Sequence, residues 1–139
     1  MQVRALMSEK ARPVHFISCH QTVEDAVDLM TAKKVSALVV KESEHPIGIF
    51  AERDVFRCYA EQRSMGISHI LLKDAMTAEL IVAKPEDNII AVTARMTKAE
   101  IRHLPVIEKD EIVGMLSLGD LIEYLIGNLT DELQHLRDY

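Results

Sequence analysis

The chain has 139 residues, 48% of them apolar and 27% charged, which suits one compact domain, or two very small ones sharing a core, and excludes the disordered, collagen-like and disulfide-scaffold classes. Sixteen Lys and Arg against 22 Asp and Glu leave a net charge of −6 and a pI near 5.5, so no global field attracts DNA, RNA or anionic lipid. Apolar runs stop at four residues, far below the ~20 that cross a bilayer, and no secretory signal opens the chain, so the expectation is a cytoplasmic protein with no DNA or membrane partner.

An opening strand is predicted near Val14–Ile17. Val23, Ala26, Val27 and Met30 then recur at i, i+3, i+4 and i+7, the spacing of a helix from Thr22 to Lys33 with Thr22 as N-cap. Ala37-Leu-Val-Val and Ile47-Gly-Ile-Phe, separated by a polar turn, read as a strand, a tight turn and a strand. A second helix is expected over Glu52–Arg63 from Val55, Phe56 and Tyr59. After a connector, Ser64–Thr77, the order recurs: a strand near Leu80–Ala83, a helix capped by Asn88, strands at Leu104-Pro-Val-Ile and Ile112-Val-Gly-Met-Leu, and a helix over Leu118–Ile126. The tail Asn128–Tyr139 places Leu129, Leu133 and Leu136 at i, i+4 and i+7, an amphipathic helix that needs a cover, either its own domain or a second copy.

A shift of 66 residues lays Val14–Tyr59 over Leu80–Leu125 without a gap, with seven of 46 pairs identical and the apolar positions matched almost throughout. The chain is therefore a tandem repeat of a β-α-β-β-α unit. Each unit of about 60 residues makes a marginal core by itself, so the two must pack together. Met7-Ser8 and Met76-Thr77 are matching lead-ins, the first followed by three extra residues. The division by sequence is 1–66 for the first repeat with its lead-in, 67–127 for the second, and 128–139 for the tail.

Both copies carry a Gly and an Asp six residues apart, Gly48 with Asp54 and Gly114 with Asp120. Ser117-Leu-Gly-Asp120 is a variant capping box, and an aspartate in the first helical turn is favoured by the helix dipole. In the first copy the hydroxyl is replaced by Ala51, yet Asp54 remains. A carboxylate at a strand-to-helix junction also accepts hydrogen bonds from both ribose hydroxyls, while nearby basic side chains and the helix N-terminus hold phosphates. Such basic side chains are present: Arg102 and His103 precede the Leu104-Pro-Val-Ile strand, and Arg53 sits beside Asp54.

The tandem units, the phrase Ile101-Arg-His-Leu-Pro-Val-Ile107 and the repeated Gly-to-Asp signature resemble a pair of CBS domains, the arrangement called a Bateman module, in its bacterial stand-alone form. The resemblance covers nearly the whole chain. It implies a mixed α/β (α+β) fold of two repeats related by a pseudo-two-fold axis. It also implies a regulatory, non-catalytic module that binds an adenosine-containing ligand (AMP, ADP, ATP, NAD(H) or S-adenosylmethionine) between its repeats, forms a homodimer and signals to a regulated protein. Carried across, Ser117 and Asp120 match the ribose-binding pair and Asp54 its counterpart in the first copy. Arg102 and His103 match the basic pair near phosphates and adenine, and Ile81 to Lys84 line the same cleft. Ala51, Ser36 and Ala37 depart from the pattern, which makes the first site the weaker one, with Arg53 a partial replacement. The alternative is a ligand-free structural dimerisation module.

Cys19 and Cys58 form no CxxC or zinc pattern, so free thiols in a reducing compartment are expected. His15, Cys19 and His20 alternate across a strand and loop and do not make a metal site. No P-loop, nucleophile elbow or nucleophile with a matched base is present.

Overall fold

The computed structural model describes residues 1–62 and 66–138; the expected helix end at Arg63, the start of the connector (Ser64 and Met65) and Tyr139 lie outside the described residues. The elements run α1 (Arg4–Lys10), β1 (Phe16–Ser18), α2 (Val23–Lys33), β2 (Ala37–Glu42), β3 (His45–Ala51), α3 (Glu52–Glu61), α4 (Leu72–Ala75), α5 (Ile89–Lys98), β4 (His103–Glu108), β5 (Glu111–Ser117) and α6 (Leu118–Asp138).

The repeat is visible in the backbone. Thr22 caps α2, its hydroxyl accepting from the Asp25 N–H while the Asp25 carboxylate accepts from the Thr22 N–H. Asn88 caps α5 through the Ala91 N–H. Both helices are followed by a residue at positive φ, Lys34 at 56° and Glu100 at 57°. The two hairpins share one register, Ala37 opposite Ala51 and His103 opposite Ser117, and both shift register at the same place, after Val40 and after Val106.

The first three strands form a sheet in the order β1-β2-β3, whereas β4 and β5 pair alone. The expected opening strand of the second copy is reduced to one parallel bridge, Ala83 to Val106. The cause is local. In the first copy the Val39 N–H donates to the His15 carbonyl at 3.0 Å; the equivalent of Val39 is Pro105, which has no N–H to donate.

The chain divides into two compact units, one of residues 15–80 and the other of residues 1–14 with 81–139. Grouping by sequence assigned the lead-in to the first repeat, but in space it belongs with the second. Val3 and Leu6, both fully buried, pack with Ile89, Met96, Leu104, Leu116 and Leu121, and the Val3 and Arg4 N–H groups donate to the Asp87 and Pro85 carbonyls. In the other unit α4 does the same job: Leu72 and Ala75 pack with Ile17, Val23, Leu38 and Phe50. In space the match to Met76-Thr77 is Ala11-Arg12 and not Met7-Ser8, because Arg12 and Thr77 bridge the equivalent residues Met115 and Ile49; Met7 and Ser8 lie inside α1, seven residues long against four in α4.

The last helix continues past the expected end at Ile126, so the tail is the second half of α6 and not a separate element. Leu118, Leu121 and Leu125 are spent on the core of their own unit, while Ile122 stays exposed.

Candidate functional site

Asp54 and Asp120 are the buried acidic residues among the described positions, 5% and 6% exposed. Both sit in the first turn of the helix that follows the second hairpin strand, where an anion is favoured by unpaired N–H groups and the helix dipole. In the second repeat the capping box is complete. The Ser117 N–H donates to Asp120 Oδ2 and the Asp120 N–H to Ser117 Oγ, each at 3.1 Å. In the first it is half made: the Ala51 N–H donates to Asp54 Oδ2 at 2.9 Å, but Ala51 has no oxygen to return.

One carboxylate oxygen thus serves the helix, and the other faces a donor that the sequence reading did not foresee. Asp54 Oδ1 accepts from Arg57 Nη2 at 3.2 Å and from Thr77 Oγ1 at 3.3 Å, and the same Arg57 Nη2 donates to the Ala75 carbonyl at 2.6 Å. Asp120 Oδ1 lies 3.6 Å from Arg12 Nη2. A carboxylate offers about four acceptor positions, so both retain capacity for ligand hydroxyls. Ser117 uses a lone pair in its cap and keeps its O–H proton to donate.

Two basic residues of the second repeat, Arg102 and His103, have their backbone at the same corner. His103 opens β4 directly opposite Ser117, and the Arg102 carbonyl accepts from the Leu118 N–H at 2.8 Å, leaving the Arg102 side chain exposed. Ser36 holds the equivalent backbone bond, to the Glu52 N–H. Ile81 is half-buried against the core of its unit, while Lys84 is exposed, its N–H donating to Asp87 Oδ2 at 2.8 Å. Arg53 is exposed on the first turn of α3; the cation on Asp54 is Arg57, one turn further on.

The repeated glycines belong to this architecture. A Cβ on Gly48 would stand 2.6 Å from the Thr77 carbonyl oxygen and 2.8 Å from Met76 Sδ, and one on Gly114 would stand 3.1 Å from Ala11 Cβ. Glycine therefore lets each lead-in cross β3 or β5 closely enough for Thr77 or Arg12 to reach the aspartate.

Residues 3–61 and 72–127 each match the family model of the CBS domain. The chain belongs to the CBS domain family. It is 38% identical over 123 residues to the mitochondrial CBS domain-containing protein CBSX3 of Arabidopsis thaliana, covering 85% of this chain and 59% of that relative's length. The structure of a CBS-domain protein from Burkholderia ambifaria superposes with a TM-score of 0.82 at 28% identity, over 91% of this chain and 95% of that one. CBSX2, whose structure was solved in complex with AMP, shares the CBS fold at a TM-score of 0.69 and 21% identity, over 91% and 96% of the two chains.

The two CBS matches follow chain order, whereas the packed units exchange their lead-ins. Among the described residues no three His, Cys, Asp or Glu side chains group as a metal site. No helix among them is long and apolar enough to cross a membrane.

Proposed function

We propose that this chain is a regulatory sensor that binds an adenosine-containing nucleotide, AMP, ATP or NAD(H), at the Ser117–Asp120 corner of its second CBS repeat and signals to a partner protein. The observation that carries this reading is the juxtaposition of a hydroxyl donor and a buried, hydrogen-bonded carboxylate with His103 across the strand pair. Asp120 accepts the two ribose hydroxyls and Ser117 donates to the sugar. Arg102 and His103 hold phosphate and face adenine, with Ile81 and Lys84 lining the approach. Asp54, with Arg53 beside it, is the corresponding acceptor of the first repeat, where Ala51 offers no hydroxyl. The AMP complex of CBSX2 supports the ligand class.

The role is regulatory, not catalytic, with the nucleotide as effector and no catalytic cofactor. A homodimer is supported by Phe56 and Tyr59 on α3, 74% and 65% exposed, since large exposed apolar side chains one turn apart on a helix mark a contact surface; Ile122 is exposed at the position of α6 equivalent to Phe56. Cys19 and Cys58 are buried free thiols, consistent with a reducing compartment such as the cytoplasm.

Mass spectrometry of small molecules released from the purified, denatured protein, followed by calorimetry with AMP, ATP, NAD(H) and S-adenosylmethionine, tests the proposal. Binding of at least one by the parent and its loss in Asp120→Ala is the expected result. Failure of all four to bind would leave the aspartates as helix caps and the chain as a structural dimerisation module.

A further inference from the structure

The second half of α6 has an apolar face that its own unit does not use. Ile122, Ile126, Leu129, Leu133 and Leu136 follow one another at intervals of 4, 3, 4 and 3 residues on one continuous helix, the a/d spacing of a coiled-coil seam. From Ile126 onward these side chains are between 54% and 71% exposed. Every residue from Leu129 to Asp138 is exposed, so about 15 Å of helix carries its apolar stripe without a neighbour. A helical segment this short is marginal in water unless that stripe is covered.

We propose that this stripe pairs with the same stripe of a second copy of the chain, as a parallel, in-register two-stranded coiled coil. With Ile126 and Leu133 at a and Ile122, Leu129 and Leu136 at d, Glu132 falls at g and Arg137 at the following e. A parallel pair sets Glu132 of each copy against Arg137 of the other, twice per dimer. The five apolar layers then stack without offset. The antiparallel register that opposes Ile126 to Leu136 would set Glu132 against Glu132 of the other copy and leave Arg137 to Glu123, which already faces Lys10 at 3.5 Å. The arrangement is independent of nucleotide binding, and it adds to any contact made through α3.

The test uses the full-length chain with single cysteines introduced along the seam. Under mild oxidation Leu129→Cys and Leu136→Cys should each form a disulfide-linked dimer, with the parent, whose cysteines are buried, as control. Linkage only in mixtures of Ile126→Cys with Leu136→Cys would show an antiparallel pair and overturn the proposal, as would no linkage at all. Charge reversal gives a second reading at positions that do not touch the core. Glu132→Arg and Arg137→Glu alone should each weaken self-association by roughly three- to tenfold, and the double reversal should restore it. Equal self-association in all four proteins, measured by sedimentation equilibrium, would also overturn it, whatever the outcome of the nucleotide titrations.

Discussion

Arg12 stands in its unit where Thr77 stands in the other. Each is the lead-in residue that bridges the middle of the second hairpin strand, Arg12 to Met115 and Thr77 to Ile49, through two backbone hydrogen bonds of 2.9–3.1 Å. Each also brings a side-chain donor to Oδ1 of the signature aspartate. The two solutions differ in where the cation comes from: the first repeat has Arg57 of its own helix beside the Thr77 hydroxyl, and the second has Arg12 of the lead-in. The corner that carries the full Ser117–Asp120 pair is also the one whose cation comes from the lead-in.

Asp120→Ala should weaken nucleotide binding by roughly one to two orders of magnitude, because hydrogen bonds to a charged group contribute about 1.5–3 kcal/mol. Asp120→Asn separates binding from folding, since an amide oxygen still accepts from the Ser117 N–H. Calorimetry beside thermal melts should show Asn melting closer to the parent than Ala does, with affinity reduced in both. Parental affinity in both variants would remove Asp120 from the site.

The two repeats should not bind alike. The second offers Ser117, Arg102 and His103 where the first has Ala51, Ser36 and Ala37, so titration is expected to give one tight site per chain and a second that is weak or empty. Two sites of equal affinity would refute this. Ala51→Ser supplies the missing acceptor for the Asp54 N–H, and a completed cap adds about 1 kcal/mol. A higher melting temperature checks the capping half of that statement by itself.

Three glycines should respond to alanine in three ways. Gly48→Ala places a methyl group 2.6 Å from a backbone oxygen, and such overpacking costs about 1–3 kcal/mol. Gly114→Ala meets another methyl carbon at 3.1 Å and should be milder. Gly127 lies inside α6 with nothing within 4 Å of its Cβ position, so Gly127→Ala should stabilise the helix by up to about 1 kcal/mol. Denaturant titration of the three variants would show that order, and a destabilised Gly127→Ala would contradict it.

Burial pushes both thiols above their ordinary value of 9.0, helped at Cys19 by Glu42, whose carboxylate is 3.8 Å from Sγ, and at Cys58 by Asp54 and Glu61 against the opposing pull of Arg57. Folding therefore favours the protonated thiols. Their contribution is intact below about pH 9 and is lost as the pH rises from there through the higher folded values, because the unfolded chain ionises first. Alkylation of the native protein at pH 8 should be slow at both cysteines and become fast on unfolding. Rapid labelling of either in the folded state would contradict the burial.

The helix starts and hairpins were legible in the sequence because their causes are local: Thr22 and Asn88 cap three residues away, and alternating β-branched runs flank short polar turns. The aspartates were legible because the repeat kept them. Their partners were not, since Arg12 reaches Asp120 from the far end of the chain and Arg57 had no marked counterpart in the second copy. Thr77 lay in a recognised lead-in, but nothing local showed that the segment turns back over Gly48. The missing second opening strand follows from Pro105, a residue in plain view, once its place opposite a carbonyl is known. The helix expected to end at Ile126 runs on through Gly127 and Asn128, both poor helix formers.

The exchanged lead-ins set an order of events during synthesis. Residues 15–80 contain everything their unit needs, so that core can close as soon as the connector has left the ribosome. Residues 1–14 are made earlier, yet Val3 and Leu6 have no core until α5, β4, β5 and the start of α6 follow, and the contact between Arg4 and Glu108 spans 104 positions. At about 5–20 residues per second, the part of this chain made first waits roughly 5–20 s with its apolar side chains unsheltered while its neighbour folds ahead of it.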